Sequence, residues 1–346
     1  MGVYKAWLIK LAAICVVLVM LVGGFNYMVD PLWAFDHANP FNERQDSINE
    51  REQKSLHLAY TAQEYNALLL GSSRSTVVDQ HQFEGVRMFN YSVPAVSIEE
   101  FNEYIQFAKT HGHEPELIVL GLDFFTTNET RKQTSFPSEY FETVEDPLYL
   151  YKTLISMDTF ENAYKNAWSS LMDTEQFVRR YDRHHKAEFQ QISQEDKDEL
   201  VEGDLRRYKG IHYAPSYQYH TGYKDQLQQM VDENPDTAFI VYVTPVTEPL
   251  LRLLYEQELL PDYTHWIGEI IDVFGGVYNF MTINEVTTNL DRFYDAHHFY
   301  AEVGDVIAAR LQDEEIEEAD FGEWVTEETF EEHIEEVRQS LEAEAQ

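Results

Sequence analysis

Two short stretches, far apart in the chain, carry residue types from which an activated hydroxyl nucleophile can be assembled. The first is Gly71-Ser72-Ser73-Arg74-Ser75, directly after the apolar run Ala67-Leu68-Leu69-Leu70. Such a run reads as a strand buried on both faces, and the turn then lies at its carboxyl end, where open α/β sheets place their ligands. A tight turn at Gly71 presents the Ser73 hydroxyl at the mouth of a following helix, whose unpaired N–H groups can stabilise a developing oxyanion. Ser75 stands where the second glycine of a Gly-x-Ser-x-Gly elbow would be, so that motif is absent. A turn with a serine cap accounts for Gly-Ser-Ser nearly as well, so the chemistry depends on the second stretch, Tyr294-Asp295-Ala296-His297-His298-Phe299. An Asp and a His three apart in a loop can hydrogen-bond each other, the carboxylate fixing the imidazole tautomer while the other ring nitrogen takes a serine proton. His298 satisfies that spacing from Asp295. A capping or surface histidine pair is the structural alternative. No metal site is expected, because His111, His113, His184 and His185 show no recognised ligand spacing with this pair.

The elements that must position these stretches follow from hydrophobic patterning. Continuous apolar runs at 67–70, 88–91, 117–120, 238–243 and 277–280 read as buried parallel strands. Between them Ser97 to Lys109 has a capping box, Ser97 with Glu100, and an apolar stripe of Phe101, Tyr104, Ile105 and Ala108. Val303, Ile307, Ala308 and Leu311 repeat at helical spacing after the last strand. Alternating strands and helices predict an α/β fold built on a parallel sheet. Thr244-Pro245-Val246, closing the fourth run, is a candidate pocket rim, although proline at a strand end often serves geometry alone.

Four segments result. Residues 1–28 form a membrane anchor, 29–65 a polar juxtamembrane connection, 66–312 the main domain and 313–346 an acidic tail. Residues 126–216 interrupt the alternation and read as a mostly helical insertion, either a lid or substrate platform or a peripheral elaboration. From Asp313 onward there are 15 Asp or Glu and one Arg, Arg338. Phe330, Ile334, Val337 and Leu341 fall at helical spacing there and predict docking.

Ala6 to Met28 is almost wholly apolar and long enough to cross a hydrocarbon core of roughly 30 Å. Lys5 and Lys10 precede most of it and Asp30, Asp36 and His37 follow, predicting a cytoplasmic N-terminus with the domain outside. A cleaved signal is the competing interpretation, but bulky Phe25 to Phe35 follows the apolar core in place of a small-x-small site. Ile14 before Cys15 argues against lipoprotein processing. Cys15 is the only cysteine, so neither an intrachain disulfide nor a cysteine-based site is expected. At 346 residues with 21 Phe and 22 Tyr, the chain can bury one large core. Its formal charge of −37 disfavours nucleic acid, which is bound through Lys and Arg. That acidity fits either a salty medium or simple solubility.

A Gly-x-Ser turn after the first strand, together with Asp-x-x-His near the carboxyl end, resembles the first and last sequence blocks of the SGNH (GDSL-like) hydrolase superfamily. With the apolar anchor and the Asp30-Pro31 exit, the chain is more narrowly similar to membrane-anchored bacterial relatives of the alginate O-acetylation proteins and of the accessory protein for teichoic acid D-alanylation. The resemblance spans roughly residues 25–312, but only the two end motifs are specific.

It implies a three-layer α/β/α domain on the outer face of the cytoplasmic membrane, with Ser73 as nucleophile, Asp295 as orienting acid and His298 as base; His297 is a rival base, because the alginate relatives have an Asp-x-His spacing that Asp295-Ala296-His297 satisfies. No cofactor is implied. An exported or cell-surface polysaccharide is the implied substrate, acetyl the implied group, and a multi-pass membrane O-acyltransferase the implied partner. The middle blocks depart from the pattern. Gly121-Leu122-Asp123 stands where the superfamily has Gly-x-Asn-Asp, and Asn90-Tyr91-Ser92 where it has a glycine. Asn90 or a backbone N–H would have to complete the oxyanion hole, and losing one such donor costs about 2.7 to 4 kcal/mol. Strong general esterase activity is therefore not expected. A glycan-binding scaffold without turnover and a lipase or thioesterase are the other expectations. Arg74 could orient a carboxylate or polarise an acyl group, or simply pair with an acid such as Asp123.

Overall fold

The computed structural model describes residues 2–35, 37–46, 49–130, 137–172 and 177–343. The chain divides into two compact units, one of Met1–Thr61 with Ser138–His184 and the other of Ala62–Pro137 with His185–Gln346.

The second unit is built on a six-stranded sheet. Its strands are β1 (Ala67–Leu70), β2 (Met88–Asn90), β3 (Leu117–Leu122), β4 (Ala238–Val243), β5 (Val277–Asn279) and β6 (Glu323–Val325), in the order β2-β1-β3-β4-β5-β6. The first five run parallel, with Leu70 opposite Leu120 and Leu120 opposite Val241, and β6 closes one edge antiparallel to β5. All four residues of β1 are fully buried. Successive strand residues point to opposite faces, so the sheet is covered on both sides there and needs an unbroken apolar run. Strand order reverses between β1 and β3, which puts a crevice beyond their carboxyl ends.

Helix α1 (Ile98–Thr110) has the expected capping box, the Ser97 N–H donating to the Glu100 carboxylate, and buries Phe101, Tyr104, Ile105 and Ala108. Helix α2 (Gln194–Arg207) runs on into a π-helical turn, Tyr208–His212. Helix α3 (Leu260–Phe274) leads to β5 and ends at Gly275, which takes the left-handed φ of 79°. Helix α4 (Ala301–Arg310) follows the Asp295–His298 loop.

The acidic terminal segment contributes β6 and helix α5 (Phe330–Glu342) to this unit. Val337 and Leu341 are buried, as is His333, whose Nδ1 lies 2.8 Å from the Glu323 carboxylate. Residues 126–216, grouped by sequence as one insertion, are shared between the two units.

In the first unit the helix Gly2–Val29 is long and apolar enough to cross a membrane. It stops where Asp30 takes a left-handed φ of 47° ahead of Pro31, and the Asp30 carboxylate accepts from the N–H groups of Ala34 and Phe35. Helices Tyr149–Ile155 and Met157–Met172 pack against its carboxyl end, and strands Arg44–Asp46 and Arg179–Asp182 pair antiparallel.

Lys54, on the helix Glu50–Tyr60, is wholly buried in this unit. Burial pushes its amine down to about 7, against the attraction of Glu50. Unfolded, the amine titrates near ~10.4. Between these values the unfolded chain holds a proton that the folded amine has released, so stability rises with pH across the window. The thermal midpoint should therefore climb from about pH 7 to 9.5, and Lys54→Met should flatten that slope.

Candidate active site

Local packing explains the glycines near the carboxyl ends of β1 and β3, Gly71 just after the one and Gly121 next to last in the other. A Cβ on Gly71 or on Gly121 would collide with the Ser75 Oγ, which sits between the two strand ends and accepts from the Tyr242 hydroxyl at 2.7 Å. From Gly71 to Val78 only Ser73 is partly exposed, and every other residue is buried. The turn therefore hides Ser72, Ser75 and Thr76 and offers a single hydroxyl.

The helix expected after Ser73 is one 3-10 turn, Ser75–Val77. The Thr76 hydroxyl donates to the Ser73 carbonyl at 2.6 Å, and the Arg74 N–H to the Ser72 hydroxyl at 3.3 Å. These local bonds compete with helix propagation, as short hydroxyl side chains do. A helix N-terminus is thus not the source of oxyanion stabilisation. The Ser73 N–H, however, has no hydrogen-bond partner among the described residues.

Across from this turn, the Asp295–His298 loop closes on itself. The Asp295 Oδ1 accepts from the N–H groups of His297 (2.9 Å) and His298 (2.8 Å). Its Oδ2 is left for His298 Nδ1 at 2.7 Å. His298 Nε2 in turn lies 2.8 Å from the Ser73 Oγ, and Phe189 packs on the imidazole at 5.0 Å between centroids. Burial alone would raise the Asp295 carboxyl. His297 and then His298 outweigh it and hold the group far below the usual carboxylate range. Hydroxyl, imidazole and carboxylate thus form one hydrogen-bonded series, in which the ring can take a proton from Ser73 while facing a fixed negative charge.

His297 is directed elsewhere. Its Nδ1 lies 3.0 Å from Asp204 Oδ2 and 3.3 Å from Asp295 Oδ1, and its ring is tilted by 41° against that of His298, 4.1 Å between centroids. Ligand atoms of Asp295, His297 and His298 fall within 4.8 Å of one another, a grouping that could gather a metal ion. Both ring nitrogens of His298 are engaged with Ser73 and Asp295, so a metal on that ring would dismantle the series.

Two residues named as possible oxyanion or pocket groups are otherwise employed. The Asn90 amide donates to the carbonyls of Ser75 (2.9 Å) and Val78 (3.0 Å) and its oxygen accepts from the Ser92 N–H, so it braces the turn and is not an oxyanion donor. Asp123 pairs with Arg74, Nη1 to Oδ1 at 2.8 Å, with both side chains buried. Arg74 also donates to Thr244 (3.0 Å) and to the Tyr208 hydroxyl (2.7 Å), tying the ends of β1, β3 and β4 to the turn after α2. Burial pushes the Tyr208 phenol up to about 12, so it stays protonated. Arg74→Met should cost about 3 to 5 kcal/mol, because it strands a buried carboxylate, and urea unfolding measures the loss.

Asp204 and Tyr208 escaped detection in the sequence. They stand four apart where α2 passes into the π-turn, one reaching His297 and the other Arg74. Their i,i+4 spacing was a signal, but nothing in it ties them to motifs 130 residues before or 90 after.

Comparison with models of known families finds no match, and neither does comparison with curated proteins. Among solved structures, one described as "The structure of a putative platelet activating factor from Streptococcus pneumonia" is 11% identical. The match covers 76% of this chain and 90% of that one at a TM-score of 0.36. A likeness of that degree carries no argument about this chain's chemistry.

Proposed function

We propose that this chain is an extracytoplasmic serine acyl-handling protein of the SGNH type, tethered by its N-terminal helix. In this proposal it transfers or hydrolyses acetyl groups on an exported or cell-surface polysaccharide. One observation carries the chemical part: the Ser73 Oγ lies 2.8 Å from His298 Nε2, whose Nδ1 is held at 2.7 Å by Asp295. The polysaccharide and the acetyl group rest on the resemblance of the end motifs, and the tether on the apolar helix.

In the proposed reaction, Ser73 Oγ attacks the acyl carbonyl as His298 Nε2 takes its proton, and collapse of the tetrahedral species leaves acyl-Ser73. His298 returns the proton to the departing alkoxide or thiolate. It then activates a sugar hydroxyl, completing transfer, or water, completing hydrolysis. Asp295 stabilises the imidazolium in both halves. The Ser73 N–H, unpartnered among the described residues, is an available oxyanion donor, and with Asn90 committed to the turn the hole lacks the second donor expected of that residue.

That same shortage favours one alternative, a domain that binds glycan or scaffolds a modification complex without turnover. Reconstituted full-length chain, given an acetylated glycan and then an acyl donor with unmodified glycan, separates the two. Ser73-dependent acetate release or polymer acetylation supports the proposal. Glycan binding with neither activity supports the scaffold.

A further inference from the structure

The helices Tyr149–Ile155 and Met157–Met172 expose an apolar face that the core does not use. Helix Met157–Met172 turns Ala163 and Ala167 toward Val29 and Phe25, with Phe160 against Phe25 at 5.4 Å between ring centroids. On its other side Met157, Tyr164, Trp168 and Leu171 are 49 to 68% exposed, and spacings of seven, four and three place them on one stripe. Tyr151 and Ile155 of the preceding helix are as exposed. Burying six such side chains is favourable, and leaving them in water is the exception among folded surfaces.

What covers this face is indicated by what it is attached to. The helix pair packs on the last turns of the membrane-crossing candidate. The Asn26 amide donates to the carbonyls of Leu154 (3.0 Å), Ser156 (3.1 Å) and Thr153 (3.3 Å). Leu154 and its neighbours are thereby held beside the last turns of Gly2–Val29, where on the tether reading that helix would leave the hydrocarbon. Charge agrees. The chain as a whole carries −37, yet from Tyr149 to Met172 two lysines, Lys152 and Lys165, balance Asp158 and Glu161. A neutral surface rich in Tyr and Trp is what partitions to the headgroup boundary, whereas an acidic one is repelled by anionic lipid.

We propose that these two helices lie in the outer interfacial layer of the bilayer, so that the chain is held by one spanning helix and a second, monotopic contact. The inference rests on the membrane-tether reading of the N-terminal helix and adds a lipid-facing surface to it. Such a contact fixes the tilt and rotation of the unit at the membrane, which a single spanning helix does not do alone.

The test uses the full chain with Cys15→Ser, reconstituted in phosphatidylcholine nanodiscs and spin-labelled singly at Trp168→Cys, Leu171→Cys, Val17→Cys or Leu200→Cys. Collision rates with dioxygen, which concentrates in lipid, and with a nickel chelate, which stays in water, are then compared. Labels at 168 and 171 should give oxygen-to-nickel ratios severalfold above that at 200 and approaching that at 17. If the label at 17 is lipid-exposed while those at 168 and 171 match 200, the interfacial proposal is overturned and the tether stands. If 168 and 171 are shielded from both reagents, with dipolar broadening between labels, the face is covered by a second copy and the proposal is again overturned. A water-exposed label at 17 removes the tether reading, and this proposal with it.

Discussion

Ser73→Ala should lower the second-order rate of acetyl-ester cleavage on the order of ten-thousandfold or more while leaving the thermal midpoint nearly unchanged. The asymmetry follows from the turn. Ser73 is its only partly exposed residue, and its hydroxyl touches His298 rather than the core. Alanine keeps the backbone and the unpartnered N–H, removing one oxygen atom. The buried hydroxyls of Ser72, Ser75 and Thr76 cannot replace it, because Ser75 is locked to Tyr242 and Thr76 to the Ser73 carbonyl. Steady-state kinetics on a soluble acetyl ester, alongside calorimetry of both proteins, checks this.

Asp295→Asn is expected to cost about ten-thousandfold in kcat, through the tautomer of His298. In the native loop Oδ1 accepts two backbone N–H groups and Oδ2 faces His298 Nδ1. Asparagine can keep its carbonyl oxygen toward the backbone, so the loop survives. Its NH2 then faces Nδ1, which must become an acceptor, and the ring proton moves to Nε2. That nitrogen can no longer take a proton from Ser73. Asp295→Ala would also release the loop, so a folded Asp295→Asn protein with kcat reduced and KM little changed distinguishes a tautomer effect from collapse. His297 keeps its contact with Asp204 in the variant and offers no route back to Ser73.

The parts of this arrangement that could be read from sequence are those carried by local pattern. The runs ending at Leu70, Leu120 and Val243 are apolar because both faces of each strand are buried toward its carboxyl end, so periodicity finds them. The Ser97–Glu100 box marks its helix start within four residues. The Ser73 turn and the Asp295–His298 loop were legible because strand ends and a three-residue spacing place their side chains without reference to the rest of the chain.

Long-range pairing was not legible. Which imidazole meets Ser73 depends on the loop fold that Asp295 imposes, and sequence spacing admits either. Asn90 looked free to serve an oxyanion because nothing local shows that its amide closes two carbonyls 12 and 15 residues earlier. The acidic character of residues 313–346 concealed a strand, since β6 sits at the sheet edge and leaves Glu323 and Trp324 exposed.

The central claim is that Ser73 is a nucleophile activated by His298. Labelling the full-length chain with a fluorophosphonate, followed by peptide mass spectrometry, tests it most directly, because phosphonylation needs an activated serine and no knowledge of the natural substrate. The account predicts one adduct, on Ser73, lost in Ser73→Ala and strongly slowed in His298→Ala. A folded chain that remains unlabelled, or that labels equally well without His298, would contradict it.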